Sequence, residues 1–253
     1  MSRHSPTPES LGATAPRDPE MAARLLESVR TTIPLGIEQI DIILRLIAAA
    51  RHPVEAFLDL GSGDPLLAGA LLDEYPDSRG VFVAPSAAAL APARNHLRPH
   101  APRLAFLEAD IREAGWSADV VQHGPLDVVI SAFALAHLSH DEKQSVFRET
   151  FPLLKPEGLF IVVEHVASAT RWTESVWNDY VIDAIFGKQL ENAGGRTRAE
   201  LAREYFVRSA GSVPVPPPLE VQCDWLRAVG YENVDCYLKV LELAVFGGQK
   251  PAA

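Results

Sequence analysis

Cysteine and methionine are scarce in this chain, two of each in 253 residues. Cys223 and Cys236 stand thirteen residues apart. That is no metal-ligand spacing and no disulfide framework, so both thiols are expected reduced and half-buried. No His/Cys/Asp cluster is spaced to hold a metal, and no Ser-His-Asp arrangement is apparent. There is no signal peptide and no apolar run of about 18 residues, which predicts a cytoplasmic protein with no membrane partner. Positive charge is also short. Lys and Arg number 23 against 33 Asp and Glu, a net charge of −10. Phosphate backbones are bound with surplus Lys and Arg, so nucleic acid is not expected as the main partner.

Apolar residues are plentiful. At 47% hydrophobic the chain can bury a full core as one domain. Residues 1–19 are rich in Pro, Ser and Thr and are expected to be a disordered tail. The folded part is expected over residues 20–253, with a helical insertion over residues 166–219.

The most informative stretch is Phe57-Leu-Asp59-Leu-Gly61-Ser62-Gly63-Asp64-Pro65. Ala56–Leu60 reads as a buried strand. Gly61 and Gly63 permit a tight turn and let a ligand lie against the backbone. Asp64 and Pro65 start a helix, as cap and first residue. Asp59 is placed to accept from an amine or hydroxyl. The third glycine of the dinucleotide pattern is missing, because Pro65 stands in its place. No Lys-Ser or Lys-Thr follows, so the phosphate-loop pattern is missing as well. Both absences point away from a pyrophosphate and towards a smaller adenosyl ligand. The plainer alternative is a tight strand-to-helix turn.

Strands are predicted over Ala56–Leu60, Gly80–Ala84, Leu104–Glu108, Leu126–Ser131 and Leu159–Glu164. Helices are predicted over Leu66–Tyr75, Ala87–Leu97, a short piece near Ile111–Trp116, and Asp141–Leu154. Such alternation implies a mostly parallel, doubly wound α/β sheet of Rossmann-like form. Glu232–Leu238 and Glu242–Gly247 lie too close in sequence for anything but an antiparallel C-terminal hairpin. Met21–Ala50 reads as helical, broken at residues 31–36. The insertion carries Trp172, Trp177, Tyr180, Tyr205 and Phe206 and is expected to form a helical lid over the strands' carboxyl ends, where ligands bind in such sheets.

In this order and spacing, the motifs resemble the class I S-adenosylmethionine-dependent methyltransferases over roughly residues 25–250. Asp59-Leu-Gly61-Ser62-Gly63 resembles the family's cofactor turn. Glu108-Ala-Asp110-Ile111 resembles the end of its third strand, where an acid meets the adenine amine. Asp127–Ser131 and the loop to His137 resemble the fourth strand, and Leu154–Gly158 and Trp225–Tyr231 resemble two further landmarks. The resemblance implies S-adenosyl-L-methionine as cofactor. It implies contacts from Asp59, Gly61, Ser62, Gly63, Ala84, Ser86, Asp110, Ile111 and Ser131, and a small, partly apolar molecule as methyl acceptor. It leaves room for a homodimer. Arg30-Thr-Thr-Ile33-Pro34 and Leu241–Gly247 resemble the carboxy-S-adenosylmethionine synthase branch, which adds Arg30 to the candidate acceptor residues Trp172, Trp177 and Tyr205.

One position departs from the family. Strand two usually ends in an acid that accepts from both ribose hydroxyls, and here Ala84 stands there. Three readings follow: Ser86 or a main-chain group compensates, the ligand is not ordinary S-adenosylmethionine, or the fold is retained without catalysis. A nicotinamide oxidoreductase is the rival from another class, opposed by the hairpin end and the missing glycine. Methyl transfer to a protonated nucleophile is helped by a base. His137, after strand four, and His165, at the end of strand five, are the candidates, with Glu164 behind them. The alternative for each is a solvated or structurally satisfied side chain.

Overall fold

The computed structural model describes residues 35–50, 53–61, 65–191, 195–212 and 215–252. The tail expected over residues 1–19, Arg30 and the first part of the expected Met21–Ala50 helical stretch lie outside these residues. The second part of that stretch is α1 (Gly36–Ala50), which buries Ile43 and Ile47, one turn apart.

Seven strands form one sheet: β1 (Ala56–Leu60), β2 (Arg79–Ala84), β3 (Leu104–Glu108), β4 (Leu126–Ala132), β5 (Leu154–His165), β6 (Glu232–Val240) and β7 (Leu243–Gln249). Their order is β3-β2-β1-β4-β5-β7-β6. β1 to β5 are parallel, and β7 runs antiparallel between β5 and β6. This is the mostly parallel doubly wound sheet with a terminal hairpin that the sequence predicts. The other helices are α2 (Pro65–Glu74), α3 (Ala87–His96), α4 (Ala118–Val121), α5 (His140–Leu153), α6 (Arg171–Glu191), α7 (Arg198–Ser212) and α8 (Leu219–Val229).

Helices cover both faces, so β1 and β4 are buried at every position and read as mostly apolar runs, broken only by Asp59, Asp127 and Ser131. Leu58, Leu60, Val81 and Val83 pack with Val146, Phe147 and Leu226 on one face. Phe57, Phe82, Val128 and Ile130 pack with Ile43, Leu71 and Leu90 on the other. α5 starts at a capping box. Ser139 Oγ accepts from the Glu142 N–H at 3.3 Å, and the Glu142 carboxylate accepts from the Ser139 N–H at 2.7 Å.

Two elements differ from expectation. The helix expected near Ile111–Trp116 falls at Ala118–Val121 instead; Gly115, at φ +84°, breaks any earlier helix. β5 begins at Leu154 rather than Leu159. Its register jumps from Leu126↔Leu154 to Val128↔Leu159, so Lys155–Gly158 bulge out of the ladder. The bulge is tied to the C-terminal end of the chain. The Glu157 N–H donates to the Lys250 carbonyl at 3.0 Å, and the Lys250 N–H donates to the Gly158 carbonyl at 2.9 Å.

The amino end of the sheet is locked by Asp127, which is fully buried. Its Oδ2 accepts from the Glu55 N–H at 2.8 Å, the Ala56 N–H at 3.0 Å and Lys155 Nζ at 3.1 Å. Removing one partner of a buried charge pair typically costs about 3–5 kcal/mol. Asp127→Ala is therefore expected to lower unfolding free energy by roughly that amount in urea titrations. A loss within about 1 kcal/mol, the range of a surface pair, would contradict the assigned role.

Candidate active site

Because β1 to β5 are parallel, their carboxyl ends share one edge, and the order reverses between β1 and β4. Such a switch point opens a crevice. Gly61 sits there at φ +67°, with its N–H donating to the Val83 carbonyl at 2.7 Å. A Cβ on Gly61 would lie 3.0 Å from Ala134 Cβ and 3.9 Å from Ile111 Cδ1. The glycine is thus required both by its left-handed backbone and by the closeness of the turn after β4. Ile111 is buried over it. Ser131 is buried on β4, and its Oγ donates to the Leu60 carbonyl at 3.2 Å, stitching β4 to β1 beside the crevice. Asp59 is buried within β1. Ser62 and Gly63, expected in the cofactor turn, lie outside the described residues, as does Arg30 on the acceptor side.

Ala84 ends β2 and is 3% exposed; its carbonyl accepts from the Ala109 N–H at 3.0 Å. In register beside it on β3 is Glu108, an exposed carboxylate that the sequence alone did not single out. Ser86 Oγ accepts from the Ala89 N–H at 3.2 Å and caps α3. Its hydroxyl proton remains free to donate. Asp110 is engaged by its neighbour: Oδ1 accepts from the Arg112 N–H and Nε, each at 3.0 Å, and Oδ2 from Nε at 3.0 Å and Nη2 at 2.5 Å. The Arg112 hydrogen bonds hold the Asp110 carboxyl below its ordinary pKa. A contact from Asp110 to an adenine amine would require Arg112 to swing aside. Arg112 is exposed, and surface pairs of this kind contribute only about 0–1 kcal/mol.

The two histidines flank the crevice on the β4 and β5 side. Phe133 takes a left-handed conformation, φ 59°, uncommon for so bulky a residue and of a kind that gathers at functional sites. Its N–H donates to the Val163 carbonyl at 2.8 Å. The single 3₁₀ turn Ala134–His137 follows and leaves His137 exposed. His165 packs between the Phe133 ring, 5.9 Å away, and the Trp177 ring, 5.1 Å away. Its pKa is pushed down to about 4, by burial first and by Lys143 second; that of His137, exposed at its rim but packed round by protein on its inner side, is lowered first by partial desolvation and then by Lys143. Both imidazoles are therefore neutral at pH 7 and able to accept a proton. Glu164 is fully buried. Its Oε1 accepts from the His165 N–H at 2.8 Å, and the carboxylate also accepts from the Leu135 N–H. Burial raises its pKa to about 7.

Of the aromatics expected to line an acceptor pocket, two come together. Trp177 is buried beside His165, and its indole N–H donates to the Tyr205 hydroxyl. Tyr180 stacks on Trp177 at 6.0 Å. Trp172, at the start of α6, is 74% exposed. A groove of about 340 Å³ between α5 and α8, lined by Gln144, Arg148, Phe151 and Trp225 among others, shares no residue with this edge. Among the described residues no group of three His, Cys, Asp or Glu could hold a metal ion, and no helix is long and apolar enough to cross a membrane.

Residues 57–158 match a family described as a methyltransferase domain. No curated protein matches the chain in sequence. Among solved structures it is similar to an O-methyltransferase family protein from Burkholderia thailandensis, with TM-score 0.57 and 16% identity over 93% of this chain and 57% of that one. It is similar also to human N-acetylserotonin methyltransferase in complex with S-adenosylmethionine, with TM-score 0.57 and 13% identity over 93% and 57%. A third is the CurJ carbon methyltransferase, with TM-score 0.58 and 18% identity over 93% and 59%. The chain spans less than two thirds of the length of each. The match to the methyltransferase-domain family is confined to residues 57–158, and the sheet has the fold of the methyltransferases to which it is similar in structure.

The buried pair at the end of β5 predicts a specific pH dependence. The folded pKa of His165, about 4, lies below its ordinary 6.5, so its contribution to stability is present above 6.5 and lost as pH falls towards 4. Glu164 is raised from 4.5 to about 7, so its contribution is present below 4.5 and lost as pH rises towards 7. Between 4.5 and 6.5 the two oppose one another. His165→Asn is expected to unmask Glu164, and its unfolding free energy should fall more steeply than the parent's from pH 4.5 to 7. Equal slopes would contradict the assignment.

Proposed function

We propose that this chain is an S-adenosylmethionine-dependent methyltransferase acting on a small, partly apolar acceptor. The carrying observation is the common edge on which the Gly61 turn, Asp110, Ile111, Ser131 and the two histidines meet, in a chain whose residues 57–158 match a methyltransferase-domain family. The residues suit an adenosyl ligand: a glycine turn without a phosphate-loop lysine, a carboxylate in Asp110, a hydroxyl in Ser86 and an apolar cover in Ile111. When bound, the cofactor supplies an electrophilic methyl on a sulfonium sulfur. Asp59, Gly61, Ser62, Gly63, Ser86, Asp110, Ile111 and Ser131 would hold it.

His137 is the base in this reading. It is exposed to a ligand at the crevice and neutral at pH 7, so it can take the proton of an acceptor hydroxyl or amine. His165, enclosed by Phe133 and Trp177, orients the site from below. The helical segment of residues 166–219 serves as a lid, with Trp177 and Tyr205 facing the acceptor and excluding water. Much of the acceleration in such a displacement comes from holding the reactants close and aligned, which is the lid's part.

Ala84 favours a second reading, a methyltransferase fold with altered cofactor use, because the ribose-binding acid of the resembled family is absent there. Calorimetric titration with S-adenosylhomocysteine and NADH separates the readings. Binding of the first and not the second is expected, and the reverse would overturn the proposal. Ala84→Asp is expected to tighten S-adenosylhomocysteine binding about tenfold, equivalent to about 1.4 kcal/mol. Weaker binding in a folded variant would put the second reading first.

A further inference from the structure

Lys143 is the least expected side chain in the molecule. α5 buries Val146, Phe147, Thr150 and Leu153, and Lys143 continues that stripe to the helix's first turn, 1% exposed. Its Nζ has no hydrogen-bond partner among the described residues, and neither has Glu164 Oε2. The two side chains interact electrostatically. Three costs fall on this lysine together. Its charge is buried, its donors are unpaired, and it sits at the end of a helix whose dipole disfavours a cation. A buried ion pair can usually be exchanged for well-packed apolar side chains with no loss of stability. Packing alone therefore does not account for a lysine here.

Its position does. α5 begins directly after the turn that carries His137, so Lys143 enters the core at the carboxyl edge of the sheet. Glu164, buried like Lys143 and in electrostatic reach of it, receives the N–H groups of His165 and Leu135 and so joins the backbones of the two segments that carry the histidines. We propose that Lys143 is a positioning residue for this site: its buried ammonium is the positive charge that locks Glu164 between the two histidine-bearing segments and acts on both imidazoles. The consequence, which rests on the reading of His137 as a base, is that Lys143 keeps the site's histidines free of protons near neutrality. It acts on His137 and His165 alike and in the same direction.

Other titratable groups at this edge act elsewhere. Glu242, in the turn before β7, accepts from Ser168 Oγ at 2.7 Å and interacts with Glu174 of α6 and Tyr205 of α7. Asp110 and Arg112 neutralise one another. His140 Nε2 lies 3.3 Å from the Val215 carbonyl.

The test is an NMR titration of the imidazole resonances of the full chain, assigned with His137→Gln and His165→Gln. The expected result is that Lys143→Met moves both midpoints to higher pH, whereas Lys143→Arg, which retains the charge, leaves them near the parent's. Lys143→Met/Glu164→Gln buries no charge, so it carries the same test if the single variant does not fold, and its midpoints should rise as well. Unchanged midpoints in folded Lys143→Met and in the double variant would overturn the proposal, whatever happens to the melting temperature. S-adenosylhomocysteine binding is measured on the same samples. Absence of binding to the parent would overturn the methyltransferase reading, while the charge effect of Lys143 would be judged on the titration alone.

Discussion

The reversal of strand order between β1 and β4 is the constraint on which the rest of this molecule depends. Chain connections leave β1 towards one side of the sheet and β4 towards the other, so the backbone parts there, which is where sheets of this kind open a ligand-binding crevice. The protein reinforces that parting point. Ser131 Oγ bonds the Leu60 carbonyl across the two strands, and the Gly61 N–H bonds the Val83 carbonyl on β2. Gly61 can approach the turn after β4 this closely only because it has no Cβ. Every candidate binding residue described at the strand ends is placed by this arrangement.

Electrostatics divide the edge into two halves. On the β2 and β3 side the polar groups are satisfied locally and cheaply, Asp110 by Arg112 and Ser86 by the start of α3. These are surface interactions that a ligand can exchange at little cost. On the β4 and β5 side the groups are buried and costly. Glu164 and Lys143 interact electrostatically, with Lys143 Nζ and Glu164 Oε2 lacking a hydrogen-bond partner among the described residues, and His165 is enclosed by aromatic rings. Perturbed titrating groups gathered in one cleft are a physical signature of candidate functional sites. The half with exchangeable partners suits ligand binding, and the half with fixed charges suits proton transfer.

Much of the fold was legible in the sequence, because burial on both faces writes a parallel strand as a mostly apolar run. β1 and β3 fall on the residues predicted, and the terminal hairpin follows from spacing alone. The errors have physical causes. Pro156 and Gly158 read as a turn, yet β5 absorbs them as a bulge whose hydrogen bonds come from Lys250, nearly a hundred residues away in sequence. The short helix after β3 was misplaced because apolar Ile111 and Trp116 suggest a periodicity that Gly115 interrupts. The site was legible at its backbone positions and less so in its side-chain partners. Nothing in Asp110-Ile-Arg112 says that the arginine folds back onto the aspartate. Lys143 did leave a signal: it is the one charged residue on the buried stripe of α5, at helical spacing from Val146, Phe147 and Thr150.

The central claim is that an adenosyl ligand binds at the strand ends around the β1–β4 switch point. Amide hydrogen exchange with and without S-adenosylhomocysteine tests it most directly. The account predicts added protection at Leu60–Gly61, Ala109–Ile111 and Ala132–His137, and none along the groove between α5 and α8. Protection confined to that groove, or exchange unchanged at all three strand ends under saturating ligand, would contradict it.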